Sequence, residues 1–403
     1  MPALPEPILL VEYEPTRLPA GALAADDGRL LWQRYGVERR VVDVAFPSPR
    51  TEGAWELISL GWAGHIPLTP TLHFHLRPRT PLGNLFRMLA TVYGLQELTF
   101  LPGLVQSSSL RDFYEQLAAY LAAGVMARRR RGLYQAYVPR NGALPYVRGR
   151  MRLPARRPWQ PEVECSYEEV TDDVAENQLL ALTLQHIARS GLCQEEVQTA
   201  VRRAFHGLNG VTPVGPAVEA GWRYHRLNVD YAPLHALCHF FLTHTGPGHD
   251  TGDRLMLPFL VYMPRLFEQF VARWLQQHLP PPLELRVQEQ VGVGETGGAL
   301  SFTLDMVLYD GSGRAQMVLD TKYKTEVAAA DIHQIVTYAE LRRCREAVLV
   351  YPQRLGTPLD VQIGDVRVRT LTFGLEGEPE SEGRALLAAL GLGEGNTISN
   401  YPL

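Results

Sequence analysis

The sequence predicts three regions: an α+β unit over 1–165, a helical linking segment over 166–252 and an α/β domain over 253–403. Three observations predict them. The 403 residues exceed the ~250–300 that one hydrophobic core serves, so the chain divides. Short alternating apolar runs between proline and glycine turns dominate the N-terminal part, whereas runs with apolar residues three and four apart fill the middle. Finally, Gly246-Pro247-Gly248-His249-Asp250-Thr251-Gly252-Asp253 is a polar break of the kind that separates domains, and strand and helix signals alternate after it.

In the first region, residues 56–60 and 72–76 alternate apolar with polar side chains, as half-buried strands do. Residues 84–95 and 109–131 then repeat apolar side chains at helical spacing, with Phe113, Leu117, Tyr120, Leu121 and Val125 along one side. Residues 134–138 and 146–153 return to strand character. Thr171-Asp172-Asp173 is a helix cap leading into 174–189, where Leu179, Leu180, Leu184 and Ile187 supply apolar contacts. Helices follow at 194–205 and 233–243. In the last region 260–279 is an amphipathic helix, with Leu266, Phe267, Phe270, Val271, Trp274 and Leu275 on its apolar side, and Pro280-Pro281-Pro282 ends it. Residues 283–293 form a strand, 300–308 and 316–323 a hairpin about Asp310-Gly311-Ser312-Gly313, 332–343 a helix and 347–351 a buried strand. No internal repeat is evident.

Composition excludes several classes. With 46% hydrophobic, 20% charged and 9% aromatic residues, the chain is neither disordered nor fibrous. No apolar run reaches the ~18–20 residues of a membrane span, and Met1 to Leu10 lack the order of a secretion signal, so a cytoplasmic protein without membrane contact is expected. Cys165, Cys193, Cys238 and Cys344 are scattered without C-x-x-C spacing, which speaks against a disulfide framework or a zinc cluster and for buried thiols. A net charge of −4 argues against a wholly nucleic-acid-binding surface. Yet between Arg128 and Trp159 lie ten arginines (Arg128, Arg129, Arg130, Arg131, Arg140, Arg148, Arg150, Arg152, Arg156, Arg157) and no Asp or Glu. A phosphate backbone, an acidic protein partner or solvent alone can satisfy such a stretch.

Lysine usage points to chemistry. Of the 39 basic residues only two are lysine, Lys322 and Lys324. Wherever any positive charge serves, this chain uses Arg, so Asp320-Thr321-Lys322-Tyr323-Lys324 calls for a compact, movable ammonium. Neither lysine follows glycine, which excludes a Walker A phosphate loop. A hairpin closing symmetrically about Ser312 and Gly313 sets Asp305 opposite Asp320, where facing like charges need a cation between them. Period-two alternation puts Asp320, Lys322 and Lys324 on one face. Two hard oxygen ligands beside an ammonium suit Mg²⁺ or Mn²⁺ and phosphodiester hydrolysis. On the following helix Gln334 and Tyr338, four apart, share a face and can reach this site. Glu268, in the helix before it, is a candidate third carboxylate; a rim charge is the competing reading.

Leu304-Asp305 with Val318-Leu319-Asp320-Thr321-Lys322-Tyr323-Lys324 and His333-Gln334-Ile335-Val336-Thr337-Tyr338-Ala339 resembles the PD-(D/E)XK nuclease core in its RecB-like form. More narrowly, the chain is similar to the McrC family, the endonuclease subunit of the McrBC 5-methylcytosine-dependent restriction system. Leu76-Arg77-Pro78, Asn84-Leu85-Phe86-Arg87-Met88-Leu89, Arg131-Gly132-Leu133 with Tyr137, Val147-Arg148-Gly149-Arg150, Cys165-Ser166-Tyr167 and the stretch 171–180 including Asn177 occur in that family's order, so the likeness spans about 75–355. Thr321 stands where Ala is more usual, and the acid is Asp320 rather than Glu. The resemblance implies a restriction-endonuclease-like C-terminal domain, a magnesium- or manganese-dependent endonuclease activity on double-stranded methylated DNA, and a separate AAA+ GTPase partner resembling McrB. On that reading the partner is a hexameric ring that reads the modified base and is stimulated by docking. The N-terminal unit then contacts the ring, and Arg128, Arg129, Arg130, Arg131, Arg148, Arg150 and Lys324 are candidate contacts to DNA or partner.

Other patterns carry less. Gly292-Val293-Gly294-Glu295-Thr296-Gly297 fits G-x-G-x-x-G but leads into a strand, so it reads as a turn rather than a dinucleotide site. His235, Cys238 and His239 read as helix packing rather than as metal ligands. Neither H-E-x-x-H nor G-x-S-x-G occurs. Two alternatives stay open from sequence: an assembly protein that activates an AAA+ partner without using its nuclease, and a stand-alone RecB-like repair nuclease.

Overall fold

The computed structural model describes residues 7–69, 71–94, 109–151, 162–214, 224–244, 249–251, 254–256, 258–293 and 300–392. Its contacts divide the chain into two units, Met1–Leu110 with Phe259–Leu403, and Arg111–Pro258. These limits fall after Leu110 and Pro258, whereas the regions read from sequence meet at 165 and 252. The physical reason lies in Phe259–Tyr262, an apolar run that reads as the start of a helix but forms a strand, antiparallel to Trp62–Thr69 with Phe259 opposite His65. Trp62–Thr69 pairs in turn with Leu72–Arg77, and that strand with Ile8–Val11 in parallel. Gly64, at φ 143°, permits the close approach: a Cβ there would lie 2.0 Å from the Phe259 carbonyl oxygen. The helix Leu82–Val92 packs on the helix Met263–His278, so N-terminal elements share one unit with the C-terminal domain.

The C-terminal part of that unit is a six-stranded mixed sheet ordered Glu284–Val293, Leu300–Tyr309, Ala315–Thr321, Glu346–Tyr351, Val366–Thr372, Asp360–Ile363. The first three strands are antiparallel neighbours, whereas Ala315–Thr321, Glu346–Tyr351 and Val366–Thr372 run parallel. Met263–His278 packs against the first and third strands; Ala329–Arg342 packs against the three parallel ones. Leu304, Val307, Val318, Ile335, Tyr338, Ala347, Leu349 and Val368 form a buried core between Ala329–Arg342 and the sheet. The expected strands and helix between 283 and 351 are therefore all present within a few residues of their predicted limits.

The second unit holds the helices Leu110–Arg131, Ala175–Ser190, Glu195–His206 and Ala232–His244, joined by edge-to-face contacts such as Phe113 with Phe240 and Tyr114 with Phe241. Asn177 is buried and fully engaged: its amide donates to the Tyr134 carbonyl at 2.8 Å and the Asp172 carbonyl at 2.7 Å, while the Tyr231 hydroxyl donates to its Oδ1 at 2.6 Å. That makes it a structural clasp. A three-stranded ribbon, Ala136–Leu144, Val163–Thr171 and Arg150–Met151, completes the unit. His235 packs as expected, between the Tyr224 hydroxyl at 3.0 Å and the Glu176 carbonyl at 3.1 Å, and burial pushes its pKa down to about 4. All four cysteines are buried and free. Of the glycine pattern at 292–297, Gly292 and Val293 end a strand and the rest lies outside the described residues. Among the described residues, no helix is long and apolar enough to cross a membrane.

Candidate active site

The hairpin sets the register of the site. Met306 lies opposite Leu319, Val307 opposite Val318 and Leu308 opposite Met317, the pairing expected from sequence, before a bulge shifts Tyr309 onto Ala315 at the tip. One further step in that register brings Asp305 beside Asp320, near enough for the Asp320 carboxylate to raise the Asp305 pKa. Asp320 is 1% exposed, at the buried end of Ala315–Thr321. The strand ends earlier than expected, at Thr321. The Lys322 amide still donates to the Val350 carbonyl at 2.9 Å, after which the chain turns and the Lys324 amide donates to the Lys322 carbonyl at 3.0 Å. Lys322 Nζ lies 2.5 Å from Asp320 Oδ2 and donates to Gln334 Oε1 at 2.8 Å, and the Gln334 amide donates to the Tyr338 hydroxyl at 2.8 Å. The turn i to i+4 of Ala329–Arg342 thus hands its side chains to the lysine as the spacing predicts.

Lys324 goes elsewhere. Its ammonium pairs with Asp331 Oδ2 at 2.5 Å, and Lys322 Nζ is 4.0 Å from Asp331 Oδ1. Asp331 is buried and also caps its helix, accepting the Ala328 amide at 3.0 Å. Sequence reasoning missed it; the signal was an acid in the first turn, three residues before Gln334. Between the lysines, Tyr323 turns to the N-terminal segment, donating to Glu12 Oε2 at 3.2 Å and meeting the Thr80 hydroxyl at 3.2 Å. Glu268 stands near enough to raise the pKa of Asp305, but its carboxylate accepts a hydrogen bond from Gln288. Gln288 has φ 50°, interrupting the pairing of its strand at this point. No signal in the sequence marks that residue.

The arginines divide by environment. Arg128 is committed to Asp230 at 3.2 Å and to the Leu227 carbonyl at 3.2 Å, with its guanidinium over the Tyr231 ring. Arg129, Arg130 and Arg131 are exposed at a helix C-terminus, where positive charge is favoured. Arg148 stacks 4.5 Å above Tyr167 and Arg150 is exposed, both on the ribbon side of the unit. Arg152, Arg156 and Arg157 lie outside the described residues.

Burial is the chief cause holding the Asp305 carboxyl far above the ordinary range, followed by the adjacent Asp320 carboxyl and then Glu268, with Lys322 opposing. Burial likewise raises Glu268, helped by Asp320. Asp320 Oδ2 is buried without a hydrogen bond, its ion-pair contact to Nζ notwithstanding. Two adjacent carboxyls, one with a buried oxygen that no hydrogen bond engages, fit a hard divalent cation, and Mg²⁺ is commonly held by only one or two carboxylates, water and phosphate oxygens completing its shell. Among the described residues, no three His, Cys, Asp or Glu side chains are gathered as a self-sufficient metal cluster, so Glu268 does not complete one.

A pH dependence follows. A carboxyl with a higher pKa folded than unfolded binds more protons when folded, so its contribution is greatest below the unfolded value of ~4 and is lost as pH rises toward the folded value. The metal-free protein therefore unfolds at lower temperature at about pH 8 than at about pH 5 through Asp305. Asp305→Asn keeps the shape, removes the charge and recovers about 2–4 °C at the higher pH, as measured by differential scanning calorimetry.

A family model described as McrBC 5-methylcytosine restriction system component matches residues 63–352. The chain belongs to that family. The matched span holds the paired carboxylates, both lysines, Gln334 and Tyr338 and stops short of Val366–Thr372. Among solved structures, a chain of the Thermococcus gammatolerans assembly described as McrB AAA+ hexamers with bound McrC is similar at 16% identity and TM-score 0.57, with 96% of this chain and 100% of that chain covered. That likeness is one of fold. A chain of the Thermococcus gammatolerans McrBC complex aligns at 17% identity and TM-score 0.43 over 67% of this chain and 87% of that one, too distant to carry an argument. No curated protein matches the chain.

Proposed function

We propose that this McrBC family member is a metal-dependent DNA endonuclease subunit that cleaves phosphodiester bonds of methylated double-stranded DNA and docks on and stimulates an AAA+ GTPase ring. The observation that carries this reading is the convergence of Asp305, Asp320 and Lys322, with the lysine held 2.5 Å from Asp320. Asp305 and Asp320 would hold Mg²⁺ or Mn²⁺, which when bound acidifies water and offsets charge on the phosphate. The remaining work falls to side chains. The Lys322 ammonium is a point charge aimed by Gln334 Oε1, where it can stabilise negative charge growing on a phosphate oxygen. Tyr338, largely buried, accepts from the Gln334 amide and so fixes which end of that amide faces the lysine. Asp331 keeps Lys324 paired, leaving Lys322 as the ammonium committed to Asp320.

The partner half of the proposal draws on the Thermococcus assembly, whose description pairs McrB AAA+ hexamers with bound McrC, and on the ribbon of the second unit. Tyr137, Tyr146, Val147, Met151 and Val170 are exposed on or beside it, with Tyr137 71% exposed, more apolar surface than an isolated ribbon favours. An activator that never cuts would have no use for a buried acid pair against an amine. The chain, assayed with an AAA+ GTPase of its family, should break methylated DNA only with GTP and Mg²⁺; GTPase stimulation without any strand break would reject the nuclease reading.

A further inference from the structure

We propose that a cavity of about 450 Å³ beside the candidate active site receives one unpaired nucleotide of the DNA next to the cleaved phosphate, an inference that rests on the nuclease reading above. The cavity lies where ligands gather in open α/β sheets, beyond the carboxyl ends of parallel strands. Ala315–Thr321 leads to Lys324, Glu346–Tyr351 to Gln353 and Val366–Thr372 to Glu376, and all three residues line it. Its volume is in the range of small-ligand sites.

The lining suits a nucleotide better than an apolar ligand. Tyr13, 39% exposed and held at φ 58°, offers an aromatic face for stacking. The Arg79 guanidinium lies over one face of that ring, 5.8 Å from its centroid, and donates to the Glu12 carbonyl at 3.0 Å, so a base is to stack on the opposite face. Gln353 and Glu376, both exposed, bring an amide and a carboxylate to the lining. Lys324 stands at the border of cavity and active site, since Asp331 contacts both lysines, at 2.5 Å and 4.0 Å. A strand whose phosphate sits at Lys322 therefore has its neighbouring base within the cavity's reach. Unpairing a base has a cost, and an aromatic pocket offsets it.

The test uses the full chain with Ca²⁺ and two duplexes, one fully paired and one carrying a single unpaired 2-aminopurine. The bulged duplex should bind about tenfold more tightly, with quenched 2-aminopurine fluorescence. Tyr13→Leu and Gln353→Ala should each remove most of that preference without weakening the paired duplex. Gln353 is exposed, so its truncation leaves the fold intact. Equal affinity for the two duplexes overturns the proposal, as does equal weakening of both by the variants. Displacement of the bulged duplex by deoxycytidine 5′-monophosphate at matching affinity overturns it too, by making this a site for soluble nucleotides. Cleavage of paired methylated DNA with Mg²⁺, GTP and the AAA+ partner separates the two failures: Asp320-dependent cutting without bulge preference defeats the subsite alone, and preference without cutting defeats the nuclease reading alone.

Discussion

Under the proposed function, Asp320→Asn is expected to lower DNA cleavage by at least about a thousandfold, while the folded protein and stimulation of an AAA+ GTPase partner persist. Asp320 is the most buried acid of the site, at 1% exposure, and the only residue shared by the Asp305 contact and the Lys322 ion pair. The amide keeps the volume and some hydrogen bonding but removes the charge a divalent cation requires. Neutralising Asp320 also removes its ion pair with Lys322, whose ammonium keeps Gln334 Oε1 as a partner. The variant should therefore stay folded at a somewhat lower unfolding temperature than the wild type. A large loss of stability together with the loss of cleavage would point to a structural role instead. Gel analysis of methylated plasmid, beside a phosphate-release assay and calorimetry on the same preparation, separates the two.

Lys322→Arg is expected to lower cleavage by about a hundredfold, as deeply as Lys322→Met within a few-fold, whereas Lys324→Arg should retain most of it. Charge is unchanged in both arginine variants, so the contrast isolates shape. Lys322 Nζ fits between Asp320 Oδ2 at 2.5 Å and Gln334 Oε1 at 2.8 Å, with its side chain only 16% exposed. A planar guanidinium cannot occupy that gap without pushing the carboxylate or the amide aside. Lys324 has a 39% exposed side chain and one close acidic partner, Asp331, which a guanidinium can also meet. Initial rates of the three variants at saturating Mg²⁺ decide the matter. Equal tolerance of arginine at both positions would show that the scarcity of lysine has no chemical meaning here.

That scarcity illustrates which parts of the molecule could be read in advance. The hairpin was legible because two alternating runs flank a Gly-rich turn and the facing residues follow from counting; only the bulge at Leu308 and Tyr309 lay beyond counting. Gln334 and Tyr338 were legible from helical spacing. Phe259–Tyr262 was not, since four consecutive apolar residues suit a buried strand as well as a helix start, and its partner Trp62–Thr69 lies nearly two hundred residues away. The same long-range pairing joins N-terminal strands to the C-terminal part of one unit, a link that no local pattern marks. Val366–Thr372 and Pro379–Ala389 follow a proline- and glycine-rich stretch whose polar character masked the strand beyond it. Asp331 and Gln288 escaped because each acts through tertiary neighbours: a cap that also pairs with Lys324 in one case, a left-handed residue facing Glu268 in the other.

If Asp305 and Asp320 together hold a divalent cation beside Lys322, manganese titration followed by electron paramagnetic resonance, on the wild-type chain and on Asp305→Asn, measures that binding directly. Saturable binding is expected in the wild type, strengthening as pH rises and weakened at least about tenfold in the variant. Equal manganese affinity in the two proteins would rule out a cation held by this carboxyl pair.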